Sequence, residues 1–138
     1  MHVRRIVPDI SSERLDESRE FYSGFLGLDV AMDLGWIINF VSPDNPTAQV
    51  IVLSNGNDES ASVAPDITVE VADVDAAHAH AVRRGIQITY PLTDEPWGVR
   101  RFFVTDPNGV IVNLMCHRSS ATSGRLAVPA AVKTSGDR

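Results

Sequence analysis

The sequence predicts an α+β fold built from two βαβββ units that follow one another along the chain. An internal repeat carries this prediction. Gly27-Leu28-Asp29-Val30 resembles Gly85-Ile86-Gln87-Ile88 at an offset of 58, Trp36 precedes Trp97 by 61 positions, and Phe40-Val41-Ser42 resembles Phe103-Val104-Thr105 at an offset of 63. A four-stranded sheet with one helix leaves one sheet face open. Two such units are therefore expected to bury these faces together and to leave a hollow for a ligand.

The first unit is predicted to span residues 1–55. It starts with a strand in which Pro8 marks an edge or a bulge, because proline has no N–H for a central ladder. A helix follows, with Ser12 as its N-cap and with Gly27 at the left-handed position after its end. Turn-forming residues then separate three further strands. The predicted strands of this unit cover residues 3–10, 28–33, 36–42 and 48–54.

The second unit is predicted to span residues 65–117 and to repeat the order of the first. Its helix is capped by Asp73 or Asp75 and ends at Gly85. A loop over 91–98 separates the next two strands. The predicted strands cover residues 66–72, 86–90, 100–105 and 110–116. Together the units form one domain over residues 1–117, joined by a polar linker over 55–65 and followed by a flexible tail over 118–138, rich in Ser, Ala, Thr, Gly and Pro.

Composition and charge limit the classes of function. The chain has 138 residues, of which 43% are hydrophobic and 22% are charged, as in an ordinary folded domain. A net charge of −6 argues against a nucleic-acid-binding protein and favours neutral or cationic small molecules. The single cysteine, Cys116, excludes an intrachain disulfide, and no apolar run is long enough to cross a bilayer. We therefore expect a cytoplasmic protein that binds neither nucleic acid nor membrane.

Two segments of the chain resemble a known superfamily. The first helix is similar to the pattern L-x-x-S-x-x-F-Y-x-x-x-L-G through Leu15, Ser18, Phe21, Tyr22, Leu26 and Gly27, and residues 96–109 are similar to P-W-G-x-R-x-F-x-x-x-D-P-x-G. Arg14 departs from the pattern, since an acidic residue usually precedes the leucine. The resemblance is to the vicinal-oxygen-chelate superfamily, which includes glyoxalases, bleomycin-resistance proteins and extradiol dioxygenases. It covers residues 3–117 and implies the glyoxalase-like fold.

Within that superfamily, the sequence most resembles proteins of the bleomycin-resistance type. Ile6-Val7-Pro8 is similar to their N-terminal strand, and Pro96-Trp97-Gly98 is similar to one of their loops. Such proteins hold a bulky cationic antibiotic in a groove of a homodimer without chemistry. The resemblance therefore implies a homodimer that takes a small-molecule ligand and uses no cofactor.

Superfamily enzymes place metal ligands on the first and fourth strands of the units, which makes the corresponding positions informative. Counting from the two motifs places them at Val7, at Asp66, at Asn113 and between Gln49 and Ile51. Valine cannot coordinate a metal, and asparagine is a weak neutral donor. Asp66, Asn113 and Gln49 are therefore only weak metal candidates, and we predict no metal and no catalytic residue. The alternative is a lyase or dioxygenase that uses a divalent metal such as zinc, nickel or iron.

Aromatic and polar side chains expected in the hollow supply the candidate ligand site. Trp97 either stacks on a ligand or packs under its loop, and Arg101 either faces the hollow or forms a structural salt bridge. The predicted ligand-binding residues are Trp36, Phe40, Asp66, Trp97, Arg101, Phe103 and Asn113. These assignments predict a metal-independent protein that sequesters an antibiotic or another natural product. A third hypothesis is a non-catalytic interaction or regulatory module whose cleft is vestigial.

Overall fold

The computed structural model describes residues 1–54 and 63–118, which form two compact units. Of the described residues, 7–54 make up the first unit, and 1–6 with 63–118 make up the second. Both units show the order strand, helix, three strands, so the predicted α+β fold with tandem βαβββ units is confirmed. Most of the predicted linker and all but the first residue of the predicted tail lie outside the described residues.

The first unit places one helix against a mixed sheet. Strand β1 belongs to this unit from residue 7 onward. The sheet order is β2-β3-β4-β1, in which β1 is parallel to β4 and the other neighbours are antiparallel. The elements are β1 (Val3–Ser11), α1 (Leu15–Arg19) with a π-helical continuation (Glu20–Phe25), β2 (Asp29–Asp33), β3 (Ile37–Val41) and β4 (Gln49–Leu53).

The start of the first helix differs from the prediction. The helix begins at Leu15 with Arg14 in the N-cap position and with no side-chain cap. Ser12 lies two residues earlier, where its Oγ accepts a hydrogen bond from Arg14 N at 2.8 Å. The prediction of Ser12 as N-cap was therefore wrong, because the serine closes a turn in front of the helix instead of capping it.

The π-helical continuation has a simple origin in the chain length. Twelve positions separate Leu15 from Gly27, whereas eleven separate Val74 from Gly85 in the second unit. An extra residue inserted into a helix is commonly absorbed as a π-helical turn. Both glycines have positive φ, +80° and +69°, as the sequence predicts for the position after each helix.

The second unit repeats this arrangement with a longer α-helix. Residues 3–6 of β1 belong to it, and the sheet order is β1-β5-β8-β7-β6, with β5 parallel to β8. Asp73 caps the helix, since its Oδ1 accepts from Ala76 N at 3.0 Å. The elements are β5 (Ile67–Val71), α2 (Val74–Arg83), β6 (Ile88–Asp94), β7 (Val99–Thr105) and β8 (Ile111–His117).

Strand β6 is longer than predicted. It extends through Pro91 to Asp94, a stretch that the sequence assigned to a loop. The pairing of β6 with β7 shifts register between Tyr90 and Thr93. Because β6 is the last strand of the sheet, this irregular edge tolerates a proline that a central strand would exclude.

In both units the apolar core lies between the helix and one sheet face. In the first unit Ile38, Phe40, Val50 and Val52 pack with Leu15, Tyr22 and Leu28. In the second unit Val71, Val74, Ala77, Ala81, Phe102 and Val104 form the buried cluster. Neither α1 nor α2, the two helices in the described ranges, is long and apolar enough to cross a membrane.

Candidate functional site

The sheet of the second unit carries polar residues on the face turned away from α2. Side chains alternate between the two faces along a strand, and the neighbours of these residues in sequence pack into the apolar cluster under α2. We call this surface the polar sheet face, formed by Thr68, Glu70, Arg101, Phe103, Asn113 and Met115. All six are at most 8% exposed. Burying charged groups is costly unless each charge has a partner, so the partners define the site.

Arg101 and Glu95 form an almost wholly buried ion pair on this face. Arg101 Nε donates to Glu95 Oε2 at 2.7 Å, and only 6% and 2% of the two side chains are exposed. The Tyr90 hydroxyl donates to the same oxygen at 2.7 Å. The ring centres of Tyr90, Trp97 and Phe103 lie between 4.9 and 5.2 Å from the guanidinium carbon, within the range of cation–π attraction. The carboxylate and the three rings together hold the guanidinium in place.

The turn that carries Trp97 follows from its local sequence. Gly98 N donates to Glu95 O at 3.1 Å and closes a β-turn in which Pro96 occupies the second position, which its fixed φ favours. Gly98 itself has a φ of +92°, which residues with a side chain rarely adopt. Trp97 lies between them and is 37% exposed, although its ring contacts Arg101. Part of a positioned indole is therefore open to a ligand.

A second ion pair lies on the same face, near the start of the chain. Arg5 Nε donates to Glu70 Oε1 at 2.6 Å, with 12% and 10% of the side chains exposed. His117 Nε2 lies 4.0 Å from the other carboxylate oxygen of Glu70, and its side chain is 54% exposed. Glu70 therefore has a cationic guanidinium on one oxygen and a titratable imidazole beside the other.

Asn113 and Thr68 form a neutral polar pair at Cα-paired positions of β8 and β5. Asn113 Nδ2 donates to Thr68 Oγ1 at 3.1 Å. The Asn113 Oδ1 atom is buried and has no hydrogen-bond partner within residues 1–54 and 63–118. A buried acceptor without a donor is uncommon in folded proteins and calls for a specific explanation.

The residues at the positions implied for metal ligands do not fit a metal ion. Val7 is fully buried and apolar. Asp66 is exposed, and its Oδ2 accepts from Ile111 N at 3.0 Å. Gln49 belongs to the first unit, where its Oε1 accepts from Asn39 Nδ2 at 3.1 Å. Within residues 1–54 and 63–118, no cluster of three or more His, Cys, Asp or Glu side chains is arranged to hold a metal.

Two predicted ligand residues, Trp36 and Phe40, belong to the first unit. Trp36 is half-buried just before β3, and its carbonyl oxygen accepts from Ser54 N at 2.8 Å. Phe40 is fully buried on the helix side of its sheet, with its ring centre 5.4 Å from that of Tyr22. The repeat paired Phe40 with Phe103, but the residue that lies under a helix in the second unit is Phe102. A shift of one position reverses the face of a strand.

The structure brings four of the predicted residues together and adds others that the prediction missed. The four that lie in the second unit on or beside the polar sheet face are Trp97, Arg101, Phe103 and Asn113. The residues missed as site members are Arg5, Thr68, Glu70, Tyr90 and Glu95. A signal was present for two of them. The strand Ile67–Val71 alternates apolar residues with Thr and Glu, which indicates a face that is buried yet polar.

Comparisons with known proteins place this geometry in context. Residues 2–114 match the Glyoxalase family, described as the Glyoxalase/Bleomycin resistance protein/Dioxygenase superfamily. A comparison with curated proteins finds no relative.

Solved structures show the same fold at low sequence identity. A Legionella pneumophila protein described as an NAD-dependent benzaldehyde dehydrogenase is 19% identical with a TM-score of 0.66, over 82% of this chain and 99% of that one. A glyoxalase/bleomycin resistance protein/dioxygenase superfamily member from Vibrio splendidus 12B01 is 15% identical with a TM-score of 0.62, over 83% and 98%. Methylmalonyl-CoA epimerase of Streptomyces coelicolor is 21% identical with a TM-score of 0.58, over 85% and 97%.

Proposed function

Because the chain belongs to the glyoxalase/bleomycin resistance protein/dioxygenase superfamily, we propose that it is a metal-independent protein that binds and sequesters a small aromatic molecule, such as an antibiotic or another natural product. One observation carries the proposal. The guanidinium of Arg101 on the polar sheet face lies among three aromatic rings, while the positions implied for metal ligands carry Val7, a backbone-bonded Asp66 and an asparagine.

The aromatic side chains of the site suit stacking. Tyr90 and Phe103 have ring centres 4.8 Å apart, and Trp97 is held by its turn and by Arg101. Rings fixed in this way lose little conformational entropy when a planar ligand stacks on them. An aromatic ligand would therefore first meet Trp97, which is 37% exposed and already held in position.

Charge favours a neutral or cationic ligand. The positive charge of Arg101 is balanced by Glu95, and that of Arg5 by Glu70. The net charge of −6 gives the whole chain a field that attracts cations and repels anions. The two arginines of the site are therefore structural supports of the rings and carboxylates, and neither is left as an anion receptor.

A thermal-shift screen in the presence of EDTA tests the proposal. The panel contains neutral and cationic planar aromatic antibiotics and metabolites, and a matched set of anionic aromatic acids. A ligand that binds only the folded state at a hundred times its Kd adds about 2.7 kcal/mol of stability and raises Tm by several degrees. We expect shifts from members of the first group.

Two variants make the screen specific. Trp97→Ala should lose the shift, whereas Phe25→Ala, which removes a 74% exposed ring from the first unit, should keep it. No shift from any compound would overturn the proposal. So would a shift or a turnover that requires an added divalent metal and disappears with EDTA, since this would favour a lyase or a dioxygenase.

The expected setting is a homodimer in the cytoplasm. The family resemblance implies the dimer, and the single cysteine suits a reducing compartment. Size-exclusion chromatography with light scattering measures the oligomeric state, and a monomer at micromolar concentration would contradict this part of the proposal.

A further inference from the structure

The amide of Asn113 is hydrogen-bonded on one side only. Its Nδ2 donates to Thr68 Oγ1 at 3.1 Å, whereas Oδ1 is buried and has no hydrogen-bond partner among the described residues. The oxygen is therefore the half of the amide that can still accept a hydrogen bond.

Leaving such a group unbonded is costly. A buried acceptor that has lost its hydrogen bond to water is destabilising by about 1–3 kcal/mol, whereas a leucine of similar size in the same place carries no such penalty. The carboxamide therefore reduces stability unless a donor from outside the described residues completes it.

The neighbours of Asn113 indicate the chemical surroundings that a donor to its oxygen would meet. Phe103 is paired with Asn113 across β7 and β8 on the same sheet face. The ring of Tyr90 lies 4.8 Å from the ring of Phe103, so the aromatic residue paired with Asn113 packs against a second ring on its far side. Thr68 occupies the other side and is already the partner of Nδ2. A donor that reaches Oδ1 therefore lies beside an aromatic surface.

We propose that Asn113 Oδ1 accepts a hydrogen bond from an N–H or O–H group attached to an aromatic ring, and so selects the ligand by its donor. This inference rests on the proposed function and names the chemical class of ligand for the same site. Because the oxygen is buried, the ligand reaches it through a change of side-chain rotamer, a common adjustment on binding. An aromatic ligand without a donor leaves the amide unsatisfied and binds more weakly.

Two probes of the same shape test the inference. Indole carries an N–H donor, and benzofuran replaces it with an oxygen that cannot donate. Dissociation constants for the wild-type protein are measured by NMR titration in EDTA. We expect indole to bind about fivefold more tightly than benzofuran, the effect of one net hydrogen bond.

Variants assign the preference to the amide oxygen. Asn113→Leu keeps the size of the side chain and should make the dissociation constants of indole and benzofuran about equal. Asn113→Ala serves in its place if the leucine variant does not fold. Phe25→Ala is the control, because it removes an exposed ring from the first unit and leaves Asn113 and its partner Thr68 in place. It should keep the fivefold preference.

The outcomes separate this inference from the proposed function. Equal binding of both probes to the wild-type protein, or a preference that persists in Asn113→Leu or disappears in Phe25→Ala, would overturn the inference and leave the binding function standing. Failure of both probes to bind the wild-type protein would overturn the inference, and the thermal-shift panel then decides the proposed function separately.

Discussion

The carboxylate of Glu95 and the guanidinium of Arg101 lie 2.7 Å apart with almost no exposure to solvent. Desolvating two charges costs several kcal/mol per ion, and well-packed apolar residues often serve a fold as well or better. Stability alone therefore does not account for the presence of this ion pair. Its visible effect is to fix Tyr90, Trp97 and Phe103 around one point.

Replacing Glu95 with glutamine should destabilise the fold strongly. The substitution keeps the shape of the side chain but leaves the charge of Arg101 buried without an opposite charge, a change that typically costs about 3–5 kcal/mol. Urea denaturation followed by circular dichroism measures the free energy of unfolding. A loss below about 1 kcal/mol would contradict the burial of an intact ion pair.

The double variant Glu95→Leu/Arg101→Met is the control for that experiment. It removes both charges, so the unfolding free energy should recover most of the loss seen in Glu95→Gln. The three rings would lose their contacts with the guanidinium of Arg101. The rise in Tm that a ligand causes in the thermal screen should therefore become smaller, although the fold is stable.

Replacing Arg100, the residue before Arg101, should change the free energy of unfolding much less than Glu95→Gln does. It donates to Asp75 and to Asp94, each at 3.0 Å, and these hydrogen bonds, the one to Asp94 above all, raise the pKa of its guanidinium. The three side chains are 32%, 66% and 47% exposed. Exposed ion pairs contribute little, so Arg100→Gln should change the unfolding free energy by less than about 1 kcal/mol. A loss as large as that of Glu95→Gln would contradict this assignment.

The carboxyl group of Asp106 should make the free energy of unfolding depend on pH. Hydrogen bonds from the amides of Val110, at 2.9 Å, and of Asn108, at 2.7 Å, hold the pKa of this carboxyl below its ordinary value of 3.8. A carboxyl with a lowered pKa in the folded state stabilises the fold above 3.8 and loses this contribution as pH falls through the folded pKa. Asp106→Asn should therefore be less stable than wild type at neutral pH.

The deficit of Asp106→Asn should shrink as the solution is acidified below pH 3.8. Urea unfolding of both proteins at a series of pH values down to strong acid measures it. A deficit that stays constant, or that grows in acid, would show that the asparagine acts through turn geometry and not through charge.

The features that the sequence predicts correctly depend on neighbouring residues. Gly27 and Gly85 follow helices and have positive φ, and Asp73 caps the helix that it precedes. Each of these signals requires only a few adjacent residues, because a cap or a left-handed turn is satisfied within one turn of chain. The order of elements, and with it the fold class, could therefore be predicted.

The composition of the site was harder to predict, because it depends on register and on distant contacts. The sequence repeat aligned Phe40 with Phe103, although Phe102 is the residue that packs under the helix of the second unit. This difference of one residue exchanges the core face of the strand for the polar sheet face. Arg5 and Glu70 are 65 positions apart, and only the folded sheet brings them to 2.6 Å. Glu95 lies in the segment 91–98 that the sequence assigns to a loop, and its burial depends on the position of Arg101 on the next strand.

The thiol of Cys116 should react slowly in the folded protein. Burial raises its pKa above the ordinary value of 9.0, and the carboxylates of Asp75, Asp73 and Glu70 act in the same direction. Since the thiolate is the reactive form, an aromatic disulfide reagent at pH 8 should modify the native protein much more slowly than the urea-unfolded chain. Absorbance of the released thiol follows both rates, and Cys116→Ser, which leaves the chain without cysteine, sets the background. Equal rates would contradict the burial.

Phe40 and Trp97, both predicted as ligand contacts, should separate into a core residue and a site residue. Phe40→Ala removes a fully buried ring and should cost about 3–5 kcal/mol of unfolding free energy. Trp97→Ala removes a ring that is 37% exposed and should cost about 1 kcal/mol, the size of its attraction to Arg101. Urea denaturation measures both losses of stability, and Phe40→Leu provides a milder cavity if the alanine variant does not fold.

The same two positions should differ in their effect on ligand affinity. Because the ring of Phe40 packs under the helix, Phe40→Leu should leave the Kd of any compound that shifts Tm unchanged, whereas Trp97→Ala should raise that Kd. A Kd raised by Phe40→Leu as much as by Trp97→Ala would mean that the ligand enters beneath the helix of the first unit, and the assignment of the site to the polar sheet face of the second unit would then be wrong.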